Sequence, residues 1–272
     1  MSLFSSPQTI PQIPILMYHE IAVVSERQKR VRTTNPDYSL SIQKFTQQMD
    51  YLQKNAYQAL TLDEFNNERL SRDHKSIIIT FDDGWIDNYT HGFPILQERQ
   101  LTATIFIVTS FVGQQSYLNW SQIREMHAAG ISIQSHTVSH RPLALLDEVE
   151  ILAELENSKK TIEDHLGTVV NFLSVPHGMV SGSVIAGARK VGYQAVCSSE
   201  PGFSHKTGNP AVLKRVNIAD RYSISTFGKI ARADSGAILP TIWAKKIKNS
   251  AKKLLGYNNY RKIYRLRYRI GE

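Results

Sequence analysis

The sequence predicts an α/β fold, a distorted (β/α)7-type barrel with mostly parallel strands and a basic helical tail at the C-terminus. Two observations carry this expectation. Short apolar runs alternate with helical patterns about seven times between Ile13 and Ile218, and such alternation builds βαβ units around a parallel sheet. Several runs are apolar at consecutive positions, the pattern of strands buried on both faces. At 272 residues and 42% hydrophobic, the chain can bury a core of that size as one domain.

Taken in order, Ile13 to Tyr18 is a strand that leaves His19 just past its end, and residues 22–38 form a long loop. A helix from Ser41 places Phe45, Met49 and Leu52 at helical spacing, followed by a short strand over Tyr57 to Leu60 and a helix over Asp63 to Leu70. Ser76 to Phe81 is a strongly apolar strand that runs straight into Asp82-Asp83-Gly84. A helix then passes through Ile86 and Tyr89 to Leu96, and the β-branched run Thr102 to Val108 is a strand. Trp120 to Ala129 is helical and stops at Gly130. The strand Ile131 to Gln134 empties into Ser135-His136-Thr-Val-Ser-His140. Asp147 and Glu150 form a capping box for a helix whose Leu152, Leu155, Ile162 and Leu166 keep a 3–4 rhythm up to Gly167. A strand over Val169 to Val175 ends in Pro176-His177-Gly178. Val184 to Val191 is helical, Tyr193 to Cys197 a strand, and Leu213 to Ile218 the last strand. The chain divides into an extension (1–12), the barrel (13–240) and the tail (241–272).

A single cysteine, Cys197, rules out an intrachain disulfide and a cysteine-based zinc cluster. Residues 1–12 lack the basic start and apolar core of a signal peptide, and no window is long and apolar enough to span a bilayer, so the expectation is a cytoplasmic protein. The net charge of +8 is concentrated in the tail, where ten Lys/Arg face the single acid Glu272. The body is near neutral, which argues against a general nucleic-acid-binding surface.

Catalytic side chains of barrels of this kind sit where strands end. His19, Asp82/Asp83, His136/His140 and Pro176/His177 all follow predicted strands, so four segments can converge on one rim. Two adjacent carboxylates repel each other in a poorly solvated mouth unless a cation or proton is supplied. Asp83 either caps the helix beginning near Trp85 or shares such a cation. His136 and His140, four apart, face the same way if their segment makes one helical turn. With one carboxylate they make a two-imidazole, one-oxygen set suited to a divalent metal that keeps positions open, leaving the other carboxylate to act as a base.

Thr80-Phe-Asp-Asp-Gly84 followed by His136-Thr-Val-Ser-His140 resembles the first two signature motifs of the polysaccharide deacetylase family, also called NodB-homology or carbohydrate esterase family 4. The Met17-Tyr-His-Glu20 segment resembles the circularly permuted branch that includes bacterial poly-N-acetylglucosamine deacetylases. The resemblance implies a metal-dependent hydrolase that removes N-acetyl groups from amino sugars. It implies Asp83, His136 and His140 as ligands of one divalent metal, usually zinc, and Asp82 as general base. It also implies His19 as the acid that protonates the departing amine, with His177 its rival. The third motif departs from the family: Ser174-Val-Pro176-His177 has Ser174 where the family has an arginine that orients the base. Arg215 is the candidate replacement, against the alternative of an ordinary surface arginine. Pro176 and His177 lie on the substrate side, and Trp120 either lines the sugar groove or packs at a helix start.

In the tail, Trp243, Ile247 and Leu254, then Tyr257, Tyr260, Tyr264 and Tyr268, recur at helical intervals among the ten cations. That pattern suits either an anionic membrane surface or a helix packed on the barrel with a solvated charged face. Two other functions share the fold: hydrolysis of another small-molecule C–N bond, and non-catalytic carbohydrate or membrane binding.

Overall fold

The computed structural model describes residues 12–22, 36–65, 75–205 and 211–255. The main sheet is built from β1 (Ile15–Tyr18), β2 (Tyr57–Leu60), β3 (Lys75–Phe81), β4 (Thr104–Ile107), β5 (Ser132–Ser135), β6 (Phe172–Ser174), β7 (Ala195–Cys197), β8 (Val212–Leu213) and β9 (Val216–Asn217). Every pair in it is parallel, and the order is β8-β7-β6-β5-β4-β3-β1-β9, with β2 beside the first half of β3. Ile78 pairs with Ile15 on one side and Leu60 on the other.

The last strand differs from the expectation of one continuous run from Leu213 to Ile218. Leu213 pairs with Cys197 of β7, whereas Val216 pairs with Leu16 of β1. The two ends of the sheet are therefore joined by Lys214 and Arg215 alone, and the sheet curls until it meets itself. The break has a physical cause: one stretch of backbone serves two neighbours in turn, and between them the Arg215 N–H leaves the ladder to donate to the Glu200 carbonyl at 3.2 Å.

Both faces of the sheet are covered, as uninterrupted apolar strands require. Ile15, Ile78, Phe106, Phe172, Cys197 and Leu213 cluster on the inner side. Leu16, Ile77, Ile79, Phe81, Ile105, Leu173 and Val196 face outward into a second, larger cluster. That cluster is closed by α1 (Ile42–Lys54), α2 (Phe93–Glu98), α3 (Trp120–Ala128), α4 (Glu148–Leu166), α5 (Gly182–Val191) and α6 (Ile224–Ala231). Strand side chains alternate between faces. Ile78, Thr80 and Asp82 thus share the inner side of β3, and this places the first carboxylate in the barrel mouth.

The capping box at Asp147 and Glu150 forms, and Gly167 ends α4 in the left-handed region at φ 66°. The helix expected after Gly84 runs unbroken from Ile86 to Glu98, but it is not α-helical throughout. A π-helical turn, Asn88–Gly92, precedes α2, because Pro94 at its first turn has no N–H to continue the ladder. That turn also lets the Asn88 amide donate to the His19 carbonyl at 2.8 Å, and Asp87 accept the Ile21 N–H at 3.0 Å. The helix expected over residues 63–70 is one turn, Leu62–Phe65, with the remainder outside the described residues. Most of the 22–38 loop also lies outside them.

A further helix, α7 (Ser235–Leu255), crosses the 240/241 boundary drawn from the sequence. It starts packed on the barrel through buried Ile238, while Leu239, Trp243 and Ile247 are exposed. The four tail tyrosines lie outside the described residues. No described helix is long and apolar enough to cross a membrane.

Candidate active site

Because the strands are parallel, the residues following β1, β3, β5 and β6 emerge on one rim, and there the structure brings His19, Asp82, Asp83, His136, His140 and His177 together. His19 Nε2 lies 4.0 Å from Asp82 Oδ2. Asp83 Oδ1 lies 3.3 Å from Nε2 of both His136 and His140. The His140 and His177 ring centroids are 4.9 Å apart.

Asp82 is held from beneath. Arg215 donates through both terminal nitrogens, Nη1 to Oδ1 at 2.7 Å and Nη2 to Oδ2 at 2.8 Å, in the bidentate fork that suits guanidinium and carboxylate. The same guanidinium reaches the Ser174 hydroxyl at 2.8 Å and the Ser198 carbonyl at 3.1 Å, and lies 5.4 Å above the Phe106 ring. Ser174 Oγ in turn donates to Asp82 Oδ2 at 3.1 Å. Arg215 is fully buried, which overturns the surface-arginine alternative. The kink between β8 and β9 is what sends this side chain inward. Ser174, at the position where the third motif has its arginine, instead accepts a hydrogen bond from the Arg215 guanidinium.

Asp83 is held differently. Its backbone adopts φ 74°, as does that of Gly84, and a Cβ on Gly84 would stand 3.1 Å from Ile107 Cγ2. Glycine is the residue that fits both constraints. A helical run does begin at Ile86, but the Asp83 carboxylate accepts none of its backbone N–H groups, so the capping alternative for Asp83 falls away. Instead Trp85 Nε1 donates to Asp83 Oδ2 at 3.1 Å, while the buried Oδ1 has no hydrogen-bond partner among the described residues. Burial is the largest single influence and raises both carboxyl pKa values, but Arg215, His136 and His19 together outweigh it at Asp82, and the neighbouring imidazoles of His136, His140 and His19 together outweigh it at Asp83. Both stay below the ordinary range, Asp83 well below.

The two imidazoles converge without the helical turn expected for them. Residues 136–140 form a loop with left-handed φ at Thr137 and His140. Glu154 of α4 shapes it, accepting the Val138 and Ser139 N–H groups at 2.9 Å each and the Ser139 hydroxyl at 2.5 Å. His136 Nδ1 is 2.7 Å from the Ser174 carbonyl, which fixes the tautomer that turns the Nε2 lone pair toward Asp83. An orphaned buried carboxylate oxygen facing two such nitrogens, all within 4.8 Å of one another, fits a divalent cation.

On the other side of Asp82, His19 stacks on Tyr38 at 4.3 Å, and its buried Nδ1 has no hydrogen-bond partner among the described residues. Burial lowers its pKa, partly offset by Asp83 and Asp82. Pro176 is buried in the turn after β6, and His177 is exposed at φ 58°. Trp120 stacks on His165 of α4 at 3.8 Å, a contact at the start of α3, and the structure does not bring it to these side chains. Sequence reasoning missed Trp85 and Glu154. Trp85 had a signal, an aromatic donor two residues past a carboxylate, but Glu154 was one acid among many on a helix.

A family model described as polysaccharide deacetylase matches residues 69–196. A Bacillus subtilis (strain 168) protein, YxkH, assigned by name to the polysaccharide deacetylases, is 33% identical over 220 residues, covering 80% of this chain and 75% of its own length. The chain belongs to the polysaccharide deacetylase family. A poly-beta-1,6-N-acetyl-D-glucosamine N-deacetylase of Staphylococcus aureus is 25% identical over 200 residues, covering 68% of this chain and 69% of that one. Among solved structures, the Streptococcus pyogenes deacetylase PplD in complex with acetate superposes with a TM-score of 0.75 at 26% identity. The match covers 82% of this chain and 99% of that one.

Proposed function

We propose that this deacetylase-family chain is a metal-dependent hydrolase that removes the acetyl group from an N-acetylated amino sugar of a polysaccharide, oligosaccharide or lipid-linked glycan precursor. The observation that carries the reading is the division of two adjacent aspartates, one saturated by Arg215 and Ser174, the other presenting an orphaned oxygen to two imidazoles. Asp83, His136 and His140 hold a divalent metal, zinc being the ion that suits the donor set. When bound, that ion supplies a Lewis acid for the acetamide carbonyl and a water of lowered pKa. Asp82 takes the proton of the attacking water, its carboxylate kept ionised and fixed in orientation by Arg215. His19, beside Asp82 and with an unoccupied Nδ1, gives a proton to the departing amine nitrogen. His177 sits beside His140 rather than Asp82, so it contacts the sugar instead. The test is acetate release from a panel of N-acetylated glycans, from chitin oligomers to nucleotide-linked N-acetylhexosamines, after zinc reconstitution. Absence of release from every glycan by a zinc-loaded protein overturns the reading.

The tail supports a peripheral contact with an anionic membrane surface. Leu239, Trp243 and Ile247 are exposed at four-residue intervals on α7, and the Lys246 ammonium lies 5.3 Å from the Trp243 ring centre. An apolar stripe flanked by lysines fits lipid headgroups. Co-sedimentation with vesicles containing anionic lipid should drop in the Trp243→Ala/Ile247→Ala variant, and unaltered sedimentation sinks the idea.

A further inference from the structure

We infer that Trp85 is a positioning residue for the metal site, its indole N–H occupying one oxygen of Asp83 so that the other alone faces the ion. The inference rests on the metal reading above and concerns a residue outside the Asp-His-His set. Indole nitrogen is a donor only and cannot itself be a ligand, so its contact with a ligating carboxylate acts on orientation. Trp85 Nε1 reaches Asp83 Oδ2 at 3.1 Å, and Oδ1 is left 3.3 Å from both imidazole nitrogens. Rotating the carboxylate toward two-oxygen coordination breaks the indole bond.

The indole is itself pinned. Its ring stacks on Tyr117 at 4.7 Å with 23° between planes, and Tyr117 rests on Phe111 at 4.7 Å. The backbone on either side is stapled to the 116–118 segment: Leu118 N–H donates to the Gly84 carbonyl, and Ile86 N–H to the Ser116 carbonyl, both at 2.9 Å. Asp83 and Gly84, both left-handed, form the turn that folds Trp85 back over its own neighbour. A side chain buttressed on this scale is built to hold one geometry. Outer partners of metal ligands typically change affinity by 10–100-fold when removed.

The experiment is zinc affinity of the full chain, measured by competition with a chelating indicator, together with the visible spectrum of the cobalt(II)-loaded protein. Trp85→Phe keeps a ring against Tyr117 and removes the N–H. Its zinc Kd should rise about 10–100-fold, its cobalt spectrum should change, and turnover lost at limiting zinc should return as zinc is raised. Tyr117→Phe, which keeps both the stack and the indole bond, should bind zinc as the wild type does. Wild-type affinity and spectrum in Trp85→Phe overturn the inference, and a fall in melting temperature alone makes Trp85 a packing residue. Should Trp85→Phe not fold, the wild-type indole N–H resonance of Trp85 decides: it must shift on zinc addition, and a stationary signal overturns the inference. Failure of the wild type to bind zinc at all defeats the metal reading itself, a result distinct from equal binding by wild type and variant.

Discussion

Asp82 and Asp83 are the same residue type, adjacent in sequence and enclosed by the same mouth, yet their surroundings are opposite. Asp82 continues the inner face of β3 and is saturated by its own chain, with two bonds from Arg215 and one from Ser174. Asp83 leaves the strand through a left-handed turn, and one of its oxygens meets two imidazoles with no hydrogen bond made. The first arrangement spends its donors inside the protein and keeps a carboxylate ionised. The second leaves one oxygen open toward two imidazoles, the position the proposed ion would take. What separates them is backbone direction: one residue obeys strand alternation and the next breaks it.

The comparison is broken most severely by removing the charge that only Asp82 offers. Asp82→Asn should lower kcat by about 10²–10⁴-fold, the usual worth of a general base, while zinc affinity stays within a few-fold; acetate release and zinc competition read the two halves separately. Asp83→Asn should do the reverse at low zinc, losing the ion first. Next in size is Arg215→Met, which strands Asp82 as an uncompensated buried charge. Such changes cost about 3–5 kcal/mol, visible as a lower urea midpoint. Arg215→Lys should recover only part, because an ammonium cannot bridge both oxygens. Ser174→Ala removes a single neutral donor and should cost about 1 kcal/mol, with a modest drop in kcat.

The smallest effect lies beneath the clamp. Burial pushes the Cys197 thiol up to about 12 from an ordinary 9.0, with Arg215 pulling down and Asp82 up. The thiol is neutral when folded, so native protein at pH 8 should not react with a thiol reagent until denaturant is added. Since the folded pKa is the higher one, this group's contribution to stability is complete below pH 9 and declines as pH rises toward 12. Rapid native labelling shows that the barrel interior is open and that the sheltered state of Asp82 is overstated.

Much of this was legible from residue order. Apolar runs without alternation marked strands covered on both sides, and four strand ends carried a His or Asp that could meet, because parallel strands must empty on one rim. Less legible were the features set by contacts distant in sequence. The convergence of His136 and His140 looked like a helical turn, but Glu154, fourteen residues past His140, imposes a loop instead. Arg215 reads equally well as a surface residue, since a cation in a short strand carries no mark of which way it points.

The sequence by itself determined the parallel α/β plan, the rim, and the set of histidines and aspartates available to it, because periodicity and strand-end position are local properties. Only the tertiary structure decided how the two aspartates divide. That depends on a two-residue kink where the sheet closes between β8 and β9, on Ser174 leaving room for the guanidinium, and on an indole folded back onto Asp83. Each joins groups that are brought together by the closed sheet or by the turn after β3, and no spacing along the chain encodes the distance between them.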